Sequence, residues 1–502
     1  MNPTKRILVN SMVQYVRTFL SMAIMLLSTR LLINTLGHSD YGLYSVVGSM
    51  VFMIGFITAS LSSSTQRFLS YSHGTNDMSV LGRIFANAFY LHLAIASVIA
   101  IIMWLCGSTF IGNLSINSDR YDTAAFVYMM VLLMTLTTFL TAPVRALYIA
   151  RENIIYVSVV EVIDALFKLI GAVSLQYISF DSLRTYSVIM FLISVFNLMA
   201  YLLYALKHYG ECHIPRPSEV SLNTIKSLSG FAVWNVYAVG SGVARMQGLA
   251  IVINRFLGTL VNAAYGIALQ VYNAVSFIAL SILNSMNPQL MKAEGSGDRQ
   301  RMLLLTTKES KYSFLVLALV LIPLICEMPS VLSFWLDNVP AHSAMFCQAI
   351  LASHIWDQTT IGLTSANQAI GKVRNYSLVT STIRLAVLPV AWYCLSTGMS
   401  PYSIMVAYIA IDVIIGVIRV PFLKATGGLQ IWSYCKDVYI RTSIPVAGVI
   451  ATSIILTSTA DYRFRFVVTE MAAIIVGLVL TYLFALTDGE RLWIKQRINK
   501  KK

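Results

Sequence analysis

Long apolar blocks dominate this chain and constrain its fold more than any motif. Each runs for roughly 20 residues, the length that a helix rising 1.5 Å per residue needs to cross about 30 Å of hydrocarbon. A soluble domain would show short amphipathic periods with polar faces instead. Of the 502 residues, 57% are hydrophobic and 12% charged, where a soluble domain carries about 25% charged. The expected fold class is an all-α polytopic membrane protein of about 14 transmembrane helices. The predicted spans are 11–35, 42–66, 84–107, 123–143, 154–178, 185–206, 229–254, 263–286, 312–335, 344–367, 375–397, 401–423, 437–458 and 466–486.

The formal charge of +14 is explained by where the cations sit. With the N-terminus placed inside, about 26 Lys and Arg residues fall in cytoplasmic segments and about 4 outside. Arg67, Arg83, Arg145, Arg151, Lys292, Arg299, Arg301, Lys308 and Lys311 lie in predicted inner loops, and a basic tail closes the chain. The outer loops hold little beyond Arg120, Arg184, Arg463 and Arg465. This alternation is the positive-inside pattern. It predicts cytoplasmic termini and a lipid bilayer as partner, with no call for nucleic acid. The first segment contains Gln14 and Arg17; it is too polar and too long for a cleaved signal core and is expected to stay as the first helix. Six scattered cysteines without a C-x-x-C pair suggest packing residues, not disulfides or metal ligands.

A phrase spoken twice divides the chain. Ile33-Asn34, Leu36-Gly37 and Tyr41-Gly42 are echoed by Ile253-Asn254, Leu257-Gly258 and Tyr265-Gly266. One helix further on, Gly74-Thr75-Asn76-Asp77 is echoed by Gly295-Ser296-Gly297-Asp298. Two echoes in the same order indicate a duplication. Six predicted spans separate the copies, so the halves should be parallel repeats. The first phrase is expected to be a tight outer turn, with Gly37 and Gly42 freeing the backbone and Asp40 or Ser39 capping the next helix. The expected organisation is a six-helix bundle over 1–206, a cytoplasmic linker over 207–228, a second six-helix bundle over 229–424, an additional helical pair over 425–486 and a basic tail over 487–502.

Ionisable groups inside spans are costly and usually face a partner or a cavity. Arg30 and Arg245 each lie in the first helix of a half and place a cation on either side of a predicted central cleft. That arrangement suits an anion such as phosphate, which arginine grips bidentately. Arg17, Arg255 and Arg384 are secondary cations; Arg17 and Arg255 equally suit snorkelling at an interface. Glu161, Asp164 and Lys168 share one helix face and are candidates for coupling a proton or sodium ion, although Asp164 and Lys168 also suit an i,i+4 neutralising pair. Gln270 and Asn273 add polar groups to the predicted cleft, and His354, Asp357 and Asp412 lie in further spans. No phosphate-binding glycine loop, H-E-x-x-H or G-x-S-x-G occurs, so no enzyme chemistry, cofactor or metal is expected.

These residues resemble a family. Two six-helix bundles with a final pair look like the multidrug/oligosaccharidyl-lipid/polysaccharide exporter superfamily, and within it the Wzx-type flippases of bacterial polysaccharide biosynthesis. The carriers are "RLLINTLGHSDYGLYS", similar to that family's Leu-Gly-x-x-x-[Phe/Tyr]-Gly turn, its copy in span seven, and "NPQLMKAEGSGD" after span eight. The resemblance implies a transporter, not an enzyme, that turns an undecaprenyl-pyrophosphate-linked oligosaccharide across the bacterial inner membrane by alternating access. It implies Arg30 as a cleft arginine, spans thirteen and fourteen as a groove for the lipid tail, and a glycan polymerase and glycosyltransferases of the same pathway as further partners. The alternatives are a cation-coupled multidrug antiporter of the same superfamily, which should have an acidic cleft, and a membrane-embedded glycan polymerase or ligase, which should have a large outer loop.

Overall fold

Every predicted span falls mainly on helix. The computed structural model describes residues 3–75, 78–112, 118–178, 180–213, 215–336, 339–459 and 464–492. Sixteen α-helices occupy them: α1 Pro3–Thr75, α2 Met78–Gly112, α3 Tyr121–Ala150, α4 Ile154–Ser174, α5 Ser182–His208, α6 Leu222–Gly295, α7 Arg299–Cys326 and α8 Met328–Trp335. There follow α9 Ser343–Gln358, α10 Ile361–Ile370, α11 Val373–Leu385, α12 Val387–Ser396, α13 Pro401–Gly427, α14 Ile431–Cys435, α15 Arg441–Thr459 and α16 Arg465–Leu480. Ten helical stretches among the described residues are long and apolar enough to cross a membrane. The remaining predicted spans are the two arms of α1, α4 with its three ionisable residues, and the α9–α10 pair, which is broken at Thr359-Thr360. The chain is a multi-pass membrane protein.

The sequence repeat reappears as backbone geometry. α1 and α6 are each interrupted once, at Gly37 (φ 75°, ψ 169°) and Gly258 (φ 80°, ψ −179°). This conformation is essentially confined to glycine, because any side chain would clash with the neighbouring carbonyl. Asp40, beside the first interruption, accepts from Arg120 Nη2 at 2.6 Å. The other arm of the Arg120 fork, Nη1, reaches Asp181 Oδ2 at 2.6 Å. Asp181 also caps α5, accepting from the amides of Leu183 (3.0 Å) and Arg184 (3.1 Å). Burial pushes its carboxyl up, but the Arg184 amide, Arg120 and Thr123 outweigh this and hold it below the ordinary value.

The chain forms two compact units, Met1–Val239 with Asn287–Gly297, and Gly240–Met286 with Asp298–Lys502. It passes between them twice inside α6, at the helix-weakening sequences Gly240-Ser241-Gly242 and Asn287-Pro288, and a third time at Gly297-Asp298, between α6 and α7. In the first unit α1 packs on α3 and α4, and α3 on α2 and α5. Its cores gather Leu36, Val47, Val127 and Val131 at one level and Leu69, Phe85, Leu147 and Tyr148 at another. In the second unit α9 packs on α7 and α13, around Leu249, Tyr265, Phe346, Leu351, Tyr408 and Ile415.

The α15–α16 pair is docked on α7. Leu319, Val449 and Ala473 form its buried seam, and a Cβ on Gly477 would strike the side chain of Leu319. Each end is clamped. Glu327 accepts from Arg465 Nε (2.9 Å), Thr457 Oγ1 (3.1 Å) and Thr469 Oγ1 (2.9 Å). Glu490 accepts from Tyr312 (2.6 Å) and Lys311 (3.3 Å). Burial alone would raise the Glu490 carboxyl; Tyr312, the Thr487 amide and Lys311 bring it down to about 2.

Candidate functional site

A charged cluster of the second unit is built on α6, α9, α11 and α13. Arg245 projects from α6 and donates from Nη1 to Asp412 Oδ1 of α13 at 2.7 Å. The Ser353 hydroxyl of α9 donates to Asp412 Oδ2, and Trp356 Nε1 donates to the Asp412 carbonyl at 3.1 Å. Tyr408, one turn before Asp412, lies 4.2 Å beneath the Arg245 guanidinium. Arg419, two turns after Asp412, donates from Nη1 to Asp357 Oδ1 (2.7 Å) and Thr360 Oγ1 (3.0 Å). Arg384 of α11 lies within electrostatic reach of Asp357, Asp412, Arg245 and Arg419. It closes no ion pair among the described residues, and its buried Nε has no hydrogen-bond partner. His354 packs edge-on against Tyr272 at 5.0 Å, its Nε2 likewise without a partner.

The composition of this cluster decides its charge. Among the described residues, the carboxylates facing Arg245, Arg384 and Arg419 are Asp357 and Asp412. Two arginines are matched by carboxylates, and Arg384 is the surplus cation.

A second cluster lies in the first unit. Glu161 of α4 accepts from Arg145 of α3 through Nη2 (2.7 Å) and Nε (3.1 Å), and it also pairs with Arg17 of α1. One turn along α4, Asp164 pairs with Lys168 at 2.7 Å and accepts from Asn197 of α5 at 2.7 Å. Arg17, Arg145 and Lys168 are therefore balanced against Glu161 and Asp164, again with one cation in excess.

The structure brings the predicted residues together only in part. Arg17, Glu161, Asp164 and Lys168 join in one cluster, and Arg245 and Arg384 in the other. Arg255, Gln270 and Asn273 are exposed on α6 and join neither. The Arg30 side chain lies outside the described residues. Asp164 and Lys168 make their i,i+4 pair, and Arg17 is held by Glu161 instead of standing free at an interface. Arg419 and Arg145 were not among the predicted site residues. The signal for Arg419 was its two-turn spacing from Asp412 on one face of α13; Arg145 looked like a loop cation because α3 runs on to Ala150.

The fold matches solved membrane transporters. A multidrug-resistance MATE family transporter of the MOP superfamily in an outward-facing conformation aligns with a TM-score of 0.72 at 13% identity, covering 86% of this chain and 97% of that one. A MOP superfamily transporter from Pyrococcus furiosus, described as having a binding pocket of reverse polarity that suggests a different function, aligns at 0.71 and 13% identity over 86% and 97%. The MATE transporter ClbM in complex with Rb+ aligns at 0.69 and 15% identity over 84% and 95%. No protein-family model and no curated protein matches the sequence. At these identities the likeness is one of fold.

Proposed function

We propose that this chain is a transporter that moves an anionic, lipid-linked oligosaccharide across the bacterial inner membrane by alternating access, with both termini cytoplasmic. The substrate class is an undecaprenyl-pyrophosphate-linked glycan. The observation that carries the reading is the surplus cation in each charged cluster, and above all Arg384. A charge in an apolar interior is retained against a large desolvation cost only if something pairs with it. Arg245 and Arg419 have Asp412 and Asp357; Arg384 has an unused guanidinium edge, and a pyrophosphate offers it bidentate acceptors. The MOP superfamily transporter with a pocket of reverse polarity supports the view that this fold accommodates more than one sign of charge.

The test is transport of a polyprenyl-pyrophosphate oligosaccharide in proteoliposomes that hold the purified protein. Arg384→Ala should lower the rate at least tenfold, and Arg384→Lys should retain part of it. Unchanged transport in both variants would remove the reading.

A second reading is a cation-coupled multidrug antiporter. It is favoured by the membrane-embedded carboxylates Asp357 and Asp412 and by the fold shared with a multidrug-resistance transporter. Efflux of a cationic dye, lost in Asp357→Asn and retained in Arg384→Ala, would establish it over the first.

A further inference from the structure

We propose that Glu309 is the binding site for one monovalent cation, a proton or a sodium ion, in the second unit. Sequence reasoning placed residues 292–310 in a polar link. In the structure α7 begins at Arg299, which carries Glu309 into the packed helix, where it is 0% exposed.

The site is made by a close helix crossing. α10 lies on α7 with Gly362 against it: the Gly362 amide donates to Ser310 Oγ at 3.1 Å, and a Cβ at that position would strike the Thr306 carbonyl. One turn along α10, Ser365 points at the same place and donates to Glu309 Oε1 at 3.0 Å. Glu309 Oε2 has no hydrogen-bond partner among the described residues, nor has the hydroxyl of Ser313, one turn further along α7. Both side chains are fully buried. A carboxyl oxygen and, one turn away on the same helix face, a hydroxyl are thus both buried with unused capacity.

Among the described residues no counter-charge pairs with this carboxyl. Its sequence neighbours Lys308 and Lys311 are both turned to Glu490, at 3.8 and 3.3 Å. Among the elements packed on α7, α10 carries no ionisable residue. α9 brings His354, set against Tyr272, and Asp357, held by Arg419. α15 brings Arg441, paired at 2.8 Å with Asp437 of the helical segment Lys436–Ile440, whose Lys436 is exposed, and α16 brings Arg465, held by Glu327, and Glu470. The Tyr434 hydroxyl is engaged by the Thr359 carbonyl (2.6 Å) and Ser310 Oγ (2.9 Å).

An ionised carboxylate enclosed without a cation is among the most unfavourable arrangements a fold can contain. A single bound positive charge removes the problem, whereas a divalent ion would leave an uncompensated charge of the opposite sign. All the available atoms are oxygens, the ligand type that hard cations take. A proton would sit on Oε2; a sodium ion would take Oε2, with the Ser313 and Ser365 hydroxyls turned toward it. The inference is independent of the transported substrate, because it concerns a site outside the Arg384 cluster.

The experiment is thermal unfolding of the purified full chain in detergent with no transport substrate. Sodium is exchanged for choline at constant ionic strength, at about pH 6 and about pH 9, either side of the range in which a buried carboxyl titrates. A ligand bound only by the folded state raises the melting temperature. If sodium binds, the wild type is stabilised by sodium at the higher pH and less so at the lower, and Ser365→Ala shifts the response to severalfold higher sodium. If a proton binds, sodium has no effect, melting rises as pH falls, and infrared difference spectra show a protonated carboxylic acid in the wild type. Glu309→Gln, which keeps the acceptor for Ser365, should abolish the response in either case. Should that variant not fold, Glu309→Asp should shift the wild-type response along the sodium or pH axis. Equal responses in wild type and Glu309→Gln, or no response of the wild type to either ion together with no carboxylic acid signal, would overturn the proposal.

Discussion

Gly74 and Gly295, equivalent positions in the two copies of the repeat, meet at the ends of α1 and α6. A Cβ on Gly295 would strike the Tyr71 carbonyl, and one on Gly74 would strike the Lys292 carbonyl and come within 2.6 Å of the Ser296 amide nitrogen. The obstacles are backbone atoms, which cannot swing aside as a side chain could. The repeated phrase thus has the same small residue on both sides of one contact, and the contact belongs to the first unit.

Gly295→Ala and Gly74→Ala are therefore expected to destabilise the protein by on the order of 3 kcal/mol each. Gly266→Ala is the control, since no atom lies within 4 Å of a Cβ there, and a helical Gly→Ala change is worth up to about 1 kcal/mol in the other direction. Thermal melting of the purified variants checks the contrast. Equal melting of all three would show that the two helix ends are not tightly packed.

The Arg245–Asp412 pair and Arg384 should behave differently although they share a cluster. Asp412→Asn leaves Arg245 buried without its counter-charge and is expected to cost about 3–5 kcal/mol, while Arg245→Met combined with Asp412→Leu recovers most of that. Arg384→Ala removes no ion pair and should change stability by less than about 1 kcal/mol while still reducing transport. Melting temperatures measured beside transport rates separate the structural pair from the free cation. A stability loss in Arg384→Ala as large as that in Asp412→Asn would assign Arg384 a structural role instead.

Glu211, in the link between α5 and α6, sets an acid limit on stability. Burial pushes its carboxyl up, but His73 and Arg151 outweigh that and bring it down to about 2 from 4.5. Arg151 Nε donates to Oε1 at 2.5 Å, and His73 Nε2 lies 3.5 Å from the same oxygen. A carboxyl whose folded value is depressed stabilises the fold fully above its unfolded value and progressively less as pH falls through the window from about 4.5 to about 2. Glu211→Gln should lower stability at neutral pH by on the order of 2 kcal/mol, and the difference from wild type should shrink through that window. Melting curves against pH read this directly; a difference that stays constant down to the acid end would dissociate Glu211 from the effect.

Much of the helical framework was legible in advance because its cause is local. An apolar run of about 20 residues can satisfy its backbone in a bilayer only as helix, and every such run is helical. The paired glycine phrases marked Gly37 and Gly258, because a φ near +75° to +80° is a property of the residue itself. The i,i+4 spacing of Asp164 and Lys168 was enough to anticipate their pair. Asp40 shows where local reasoning stops: one of the two expected helix caps, it accepts instead from Arg120, 80 residues on, while the other, the Ser39 side chain, lies outside the described residues.

The charged sites were legible as a composition but not as an arrangement. By itself the sequence determined that arginines and carboxylates would lie within apolar helices and that they would need partners, since bare charge in hydrocarbon is too costly to persist. Which partners they have was decided only by tertiary packing. Arg245 and Asp412 stand 167 residues apart, and Glu161 collects Arg17 and Arg145 from two other helices. The same packing left Arg384 without an ion pair among the described residues and drew Glu309 out of what read as a polar link into a fully buried crossing of α7 and α10. Spacing along one helix can say which side chains share a face; only the crossing of helices says what that face meets.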